Sequence, residues 1–273
     1  MNETLLVGGV ELRVEGDGAE TLLMVHGWPD TLRLWDGTVE ALRDRFRCAR
    51  FTLPGYLPGE PVRHWTLDEM DAIFVAAADR LCPGGRVTLV LHDWGCAFGY
   101  QFAMRHPNRV ARIVGLDVGD AEALTRTLGP VEMGKILVYQ VCLAVAWRIG
   151  GTLGDALTRG MASLLRVPAD RSTIFARMNW PYDLVWFGGA QSLRHTAVPF
   201  RPECPMFFAW GRRKPFQFHT PRWADALAAR PECRVEAFDT GHWIMLDAPQ
   251  RFHGMLREWL LKSGGTSDMA CSD

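Results

Sequence analysis

The run Val87-Thr88-Leu89-Val90-Leu91 is apolar and β-type, and it stops at His92-Asp93-Trp94-Gly95 before a helix-like segment. A strand that breaks sharply into a helix holds the residue at the break on a tight turn above the end of a sheet. The serine of G-x-S-x-G sequences is presented in this way. In this chain the residue at the break is Asp93. An aspartate attacking a saturated carbon forms an alkyl ester that water can still cleave. Attack on an ester or amide would instead give an anhydride. The position therefore points away from ester hydrolysis and towards epoxide opening or halide displacement.

Strand-like and helix-like runs alternate on both sides of this break. Strands are predicted at 10–14, 21–26, 47–53, 87–91, 110–117, 205–210 and 233–238. Helices are predicted at 66–81, 95–106, 220–229 and 248–262. In the first of them Leu67, Met70, Ile73, Phe74, Ala77 and Leu81 recur at helical spacing. Such alternation implies a mostly parallel central sheet covered by helices on both faces. Residues 121–198 interrupt the alternation with Leu-, Ala-, Trp- and Met-rich helical segments. We read 1–120 and 199–262 as the sheet domain, 121–198 as an inserted helical cap, and 263–273 as a disordered tail.

At 273 residues the chain is long enough for one such domain with its insertion. A formal net charge of −1 gives no electrostatic reason to expect nucleic acid or an anionic membrane as partner. The first residues, Met1-Asn2-Glu3-Thr4, lack an export signal's basic and apolar regions. The longest apolar run, Ile136 to Ile149, is shorter than the ~18 residues a membrane span needs. Seven dispersed cysteines with no C-x-x-C pair read as reduced thiols of a cytoplasmic protein. Cys96, near the break, reads as a packing residue rather than a rival nucleophile.

Two further segments supply what Asp93 would need. His26-Gly27-Trp28-Pro29 follows a strand, and its turn can aim the Trp28 backbone N–H at the site. With the Trp94 N–H it would form an oxyanion hole. Asp239-Thr240-Gly241-His242-Trp243 follows the last strand, and His242 there can activate water. His26 and His92 read as turn or hydrogen-bonding residues. The carboxylate orienting His242 is Asp117, at the end of its strand, or its neighbour Asp120. This chemistry calls for no metal and no cofactor.

Taken together, His26-Gly27-Trp28-Pro29, His92-Asp93-Trp94-Gly95 and Gly241-His242 resemble the α/β-hydrolase superfamily, and within it the branch of epoxide hydrolases and haloalkane dehalogenases. The resemblance covers most of 20–120 and 203–262. It implies the α/β-hydrolase fold with an inserted helical cap, and the chain order nucleophile, acid, histidine, met by Asp93, Asp117 and His242. Family members commonly carry the acid in a Gly-x-x-Asp segment after a later strand, where this chain has Gly211-Arg212-Arg213-Lys214. In dehalogenases that take it from the earlier strand, it follows the nucleophile by 24 residues. Here 117 − 93 is also 24, which favours Asp117 over Asp120. Leu91 departs from the family, which usually has a smaller residue at that point of the turn.

Leaving-group chemistry separates the two subfamilies. An opening epoxide releases an alkoxide that needs a proton donor, and the resemblance assigns that task to cap tyrosines, here Tyr139 and Tyr182. A departing halide needs only N–H donors, for which the indoles of Trp94 and Trp28 qualify. Epoxide hydrolysis is the expected activity, with dehalogenation or silent ligand binding as alternatives. The apolar cap residues Ile136, Leu137, Leu143, Val145, Trp147, Trp180, Trp186 and Phe187 suggest pocket walls for a small lipophilic substrate.

Overall fold

A computed structural model describes residues 2–120, 129–214 and 217–263. The expected tail at 263–273 falls almost wholly outside them, as does the start of the cap.

Eight strands form one sheet in the order β1-β2-β4-β3-β5-β6-β7-β8. They are β1 (Asn2–Val7), β2 (Val10–Glu15), β3 (Thr21–Val25), β4 (Arg47–Phe51), β5 (Val87–His92), β6 (Val110–Leu116), β7 (Met206–Gly211) and β8 (Arg234–Phe238). From β4 through β8 every pairing is parallel, while β1 and β2 add antiparallel. The central strands β3, β5 and β6 are buried along their whole length. That matches their unbroken apolar runs.

β1 was not foreseen. Its hairpin partner β2 begins just past Gly8-Gly9, with Val7 opposite Val10 and both glycines at positive φ. A Gly-Gly pair between two β-type runs is the local signal for such a hairpin.

Helices α1 (Asp36–Leu42), α2 (Leu67–Leu81) and α3 (Trp94–Arg105) cover the first half of the sheet. The short α1 was also not foreseen. α2 opens on a capping box in which Thr66 and Glu69 each accept the other's backbone N–H. Then α4 (Pro130–Ile149), α5 (Gly151–Leu164), α6 (Trp180–Phe187) and α7 (Leu193–Thr196) lie between β6 and β7 as a helical insertion. α8 (Pro221–Ala228), α9 (Ile244–Asp247) and α10 (Pro249–Ser263) complete the domain. One apolar core joins the sheet to α2, α3 and the insertion. A second lies on the opposite face under α1 and α10.

The insertion is fastened to the sheet domain by polar bonds at buried positions. Trp28 Nε1 donates to Asn179 Oδ1 at 2.7 Å, and Trp180 Nε1 donates to the Pro54 carbonyl at 2.9 Å. Asp183, with no exposed side-chain surface, pairs with Arg148 within the insertion and reaches His64 Nε2 of the sheet domain at 2.7 Å.

Two sequence expectations need correction here. α4 is 20 residues long with a mean hydropathy of 1.2 over its apolar window, so by length and composition it reaches what a membrane span needs. The helix starts six positions before the run counted from Ile136. Cys82 is disulfide-bonded, while Cys48, Cys96, Cys142, Cys204 and Cys233 are free thiols. The reading of seven reduced thiols therefore fails at Cys82.

Candidate active site

Trp28, Asp93, Asp117 and His242 all sit just past the ends of parallel strands. Asp93 follows β5 with φ 52° and ψ −118°, an unfavourable conformation for a residue with a Cβ. Room for this turn comes partly from Gly27, where a Cβ would collide with the Asp93 carboxylate. Leu91, the departure noted in the sequence, is fully buried. It lies over Gly99, whose missing side chain leaves the space: a Cβ there would stand 2.5 Å from Leu91 Cδ1. The larger residue in the turn is matched by this close approach to the helix.

Asp93 Oδ1 accepts the Trp28 backbone N–H at 2.7 Å. Its Oδ2 faces His242 Nε2 at 3.4 Å. The other imidazole nitrogen, Nδ1, bonds to Asp117 Oδ2. Asp117 lies directly after β6 at φ 72° and is fully buried, and its Oδ1 accepts the Gly211 N–H at 3.0 Å. Asp120 is occupied elsewhere: its two oxygens accept the Thr220 N–H and hydroxyl, both at 2.6 Å, at the start of α8. Of the two candidate acids, Asp117 is the one bonded to His242.

The charges follow from these contacts. Burial disfavours the Asp93 carboxylate, but hydrogen bonding and charge from His242, with the Trp28 N–H, hold its pKa below the usual value. Burial likewise opposes ionisation of Asp117, and Lys214 and His242 outweigh it, keeping it well below the carboxylate range. For His242, burial works against the imidazolium, yet Asp117 and then Asp93 raise it to about 9. The resting site is thus an imidazolium between two carboxylates.

Its neighbours are neutral. Burial lowers His92 to about 3 and His26 to about 4. His26 Nε2 accepts the Leu53 N–H at 2.9 Å, and its Nδ1 bonds the Gly27 carbonyl at 2.8 Å. Burial pushes the Cys96 thiol up to about 12, so it holds no thiolate to compete with Asp93.

A cavity of ≈ 520 Å³ opens over Asp93 and His242. Tyr139 and Tyr182 reach it from the insertion. The Tyr182 ring stands edge-on to Trp94 at 5.1 Å and to Trp28 at 5.9 Å, and 6.1 Å from the ring of Tyr139. Burial, then the nearby Asp93 charge, keeps both phenols protonated far above neutral pH.

The remaining walls differ from those expected. Leu164, Leu165, Pro168 and Phe218 line the cavity, and none of the eight apolar residues named from the sequence does. Ile136, Leu143 and Trp180 are buried in packing, whereas Leu137, Val145 and Phe187 are exposed. Helical spacing identifies an apolar stripe but not which neighbour it meets. Sequence reasoning also missed Asn179, which takes the Trp28 indole, and Lys214, whose ammonium pairs with Asp117. Among the described residues no cluster of three or more His, Cys, Asp or Glu is placed to hold a metal ion.

A family model described as the alpha/beta hydrolase fold matches residues 20–249, and the chain belongs to that family. It is 33% identical to a cis-3-alkyl-4-alkyloxetan-2-one decarboxylase of Shewanella oneidensis over 272 residues, covering 86% of this chain and 79% of the relative. It is 26% identical to the protein of that name from Xanthomonas campestris, covering 88% of each. Its fold is similar to that of a putative epoxide hydrolase from Pseudomonas aeruginosa, with a TM-score of 0.71, 20% identity and 96% of each chain covered.

Proposed function

We propose that the protein opens a lipophilic epoxide to a vicinal diol through a covalent ester at Asp93. The observation that carries this reading is one cavity shared by Asp93, His242 and the two cap tyrosines Tyr139 and Tyr182. An Asp93 oxygen attacks an epoxide carbon, the C–O bond of the ring breaks, and the ring oxygen takes a proton from a phenol, which regains one from the His242 imidazolium and so leaves that imidazole neutral. With Asp93 esterified, His242 accepts a proton from water, whose oxygen attacks the ester carbonyl carbon. The tetrahedral oxyanion is held by the Trp28 and Trp94 N–H groups. The acyl–oxygen bond then breaks, the diol leaves with a proton returned, and the carboxylate is restored.

A second reading is favoured by the relatives matched over most of their length. An oxetan-2-one is also a strained oxygen ring, and decarboxylation would turn it into an alkene and carbon dioxide. The same phenols would face its ring oxygen. Dehalogenation has weaker support, because the Trp28 indole N–H is already committed to Asn179 and is not positioned as the second halide donor.

The deciding experiment offers the protein a styrene-oxide-like epoxide, a cis-3,4-dialkyl oxetan-2-one and a 1-haloalkane side by side. Diol formation that nearly stops in Tyr139→Phe/Tyr182→Phe is expected. Alkene formation without diol would replace the reading by the second one. Halide release alone would replace it by dehalogenation, and neither product nor covalent adduct from any of the three, in the parent or in His242→Gln, would leave a silent ligand-binding protein.

A further inference from the structure

Lys214 stands in the loop after β7, at the place where the resemblance expects the acid. Its side chain is 8% exposed and its ammonium pairs with Asp117 Oδ2, the same oxygen that binds His242 Nδ1. The ring of Phe218 lies 5.3 Å from Nζ. One carboxylate oxygen is therefore shared between a lysine and the imidazole that would serve as base.

We propose that Lys214 is a positioning residue: by sharing Asp117 with His242, its ammonium leaves the imidazole neutral once Asp93 is esterified, ready to take a proton from water. The inference rests on the covalent reading above. In the resting site two carboxylates face His242. Esterification removes the Asp93 charge, and Asp117 remains. An unshared Asp117 favours the imidazolium more strongly, and the imidazolium has no lone pair to accept a proton. The ammonium draws on the same oxygen and weakens that hold.

The other groups around the pair do not supply this charge. His92 from the nucleophile turn and His219 beside Lys214 are both kept neutral by burial, at about 3 and about 4. Asp30, in the loop after β3, is raised by burial to about 7, against the opposing Trp243 hydrogen bond. Arg213 pairs outward with Asp239, and Asp247 accepts the Gly241 N–H. Lys214 itself is lowered by burial and supported in its charged form by Asp117.

The test uses the full chain with Lys214→Met, Lys214→Gln and Lys214→Arg. Gln retains a donor for Asp117 without the charge, and serves if Met fails to fold. The His242 ring is titrated by NMR without substrate, its signal assigned by its loss in His242→Gln. We expect its pKa to rise by about one unit in Met or Gln and to return in Arg. Decay of the epoxide adduct, followed by intact mass against pH, should show its acidic limb displaced upwards by a similar amount. An unmoved ring titration and an unmoved limb in a folded neutral variant would overturn the proposal. The two failures separate: absence of any adduct even in His242→Gln, where hydrolysis lacks its base, overturns the covalent reading, whereas an adduct there with unmoved limbs overturns only the role of Lys214.

Discussion

Replacing Asp117 by Asn tests the site through stability and rate together. Asn tolerates the left-handed backbone at φ 72°, so the change acts on charge. Asp117 is fully buried and receives His242, Lys214 and the Gly211 N–H. Its loss leaves an ammonium that is 8% exposed without a counter-ion. Removing one partner of a buried pair costs about 3–5 kcal/mol. Urea unfolding followed by circular dichroism at pH 7 should therefore show about 3 kcal/mol less stability. The double change Asp117→Asn/Lys214→Met removes the stranded charge as well and should be more stable than the single one. The rate consequence is separate. Asn takes away the largest of the contributions that raise His242, so the imidazolium formed as water gives up its proton loses its carboxylate support. Adduct decay should slow by about 10²- to 10³-fold in both the single and the double variant. The reasoning is refuted if the single variant loses under about 1 kcal/mol, if the double is no more stable, or if adduct decay proceeds at the parent rate.

Three other outcomes follow from the packing. Asp120→Ala removes both bonds to Thr220 at the start of α8 and should cost about 1–3 kcal/mol in urea unfolding. Adduct decay should stay at the parent rate, and a large loss would return Asp120 to the role of acid. Gly99→Ala places a Cβ 2.5 Å from Leu91 Cδ1, an overpacking cost of about 1–3 kcal/mol. Leu91→Val in the same chain should recover part of it, and no recovery would mean the two do not compete for space. Asp30 is raised from 3.8 to about 7, mainly by burial. The folded state therefore binds this proton more tightly than the unfolded chain, and its contribution to stability is full below pH 4 and lost as pH rises to about 7. That difference is worth up to about 4 kcal/mol. Asp30→Asn should flatten this part of the stability profile and raise stability at pH 8, and an unchanged profile would show that Asp30 is ionised throughout.

What was legible in the sequence was whatever short-range pattern governs. Unbroken apolar runs mark the buried parallel strands, because a strand covered on both faces has no polar side. The break at Asp93 and the Gly241-His242 pair mark strand ends, and parallel strands with crossover helices bring those ends to one edge of the sheet. Asp93 and His242 could thus be named together without a structure, while the choice of Asp117 over Asp120 rested on the spacing that the family resemblance implies. Gly8-Gly9 was equally local, and the β1 hairpin could have been read from it. Tertiary structure alone decided which partner each side chain meets. Trp28 gives its indole to Asn179, 151 positions away, and Lys214 reaches Asp117 across 97. The apolar cavity walls come from Leu164, Leu165, Pro168 and Phe218, while the more apolar α4 contributes only Tyr139 among the residues that line it. Periodicity tells which side of a helix is apolar, but the direction that side faces is set by how the helices pack. An ion pair between distant residues leaves no mark in the local pattern of either one.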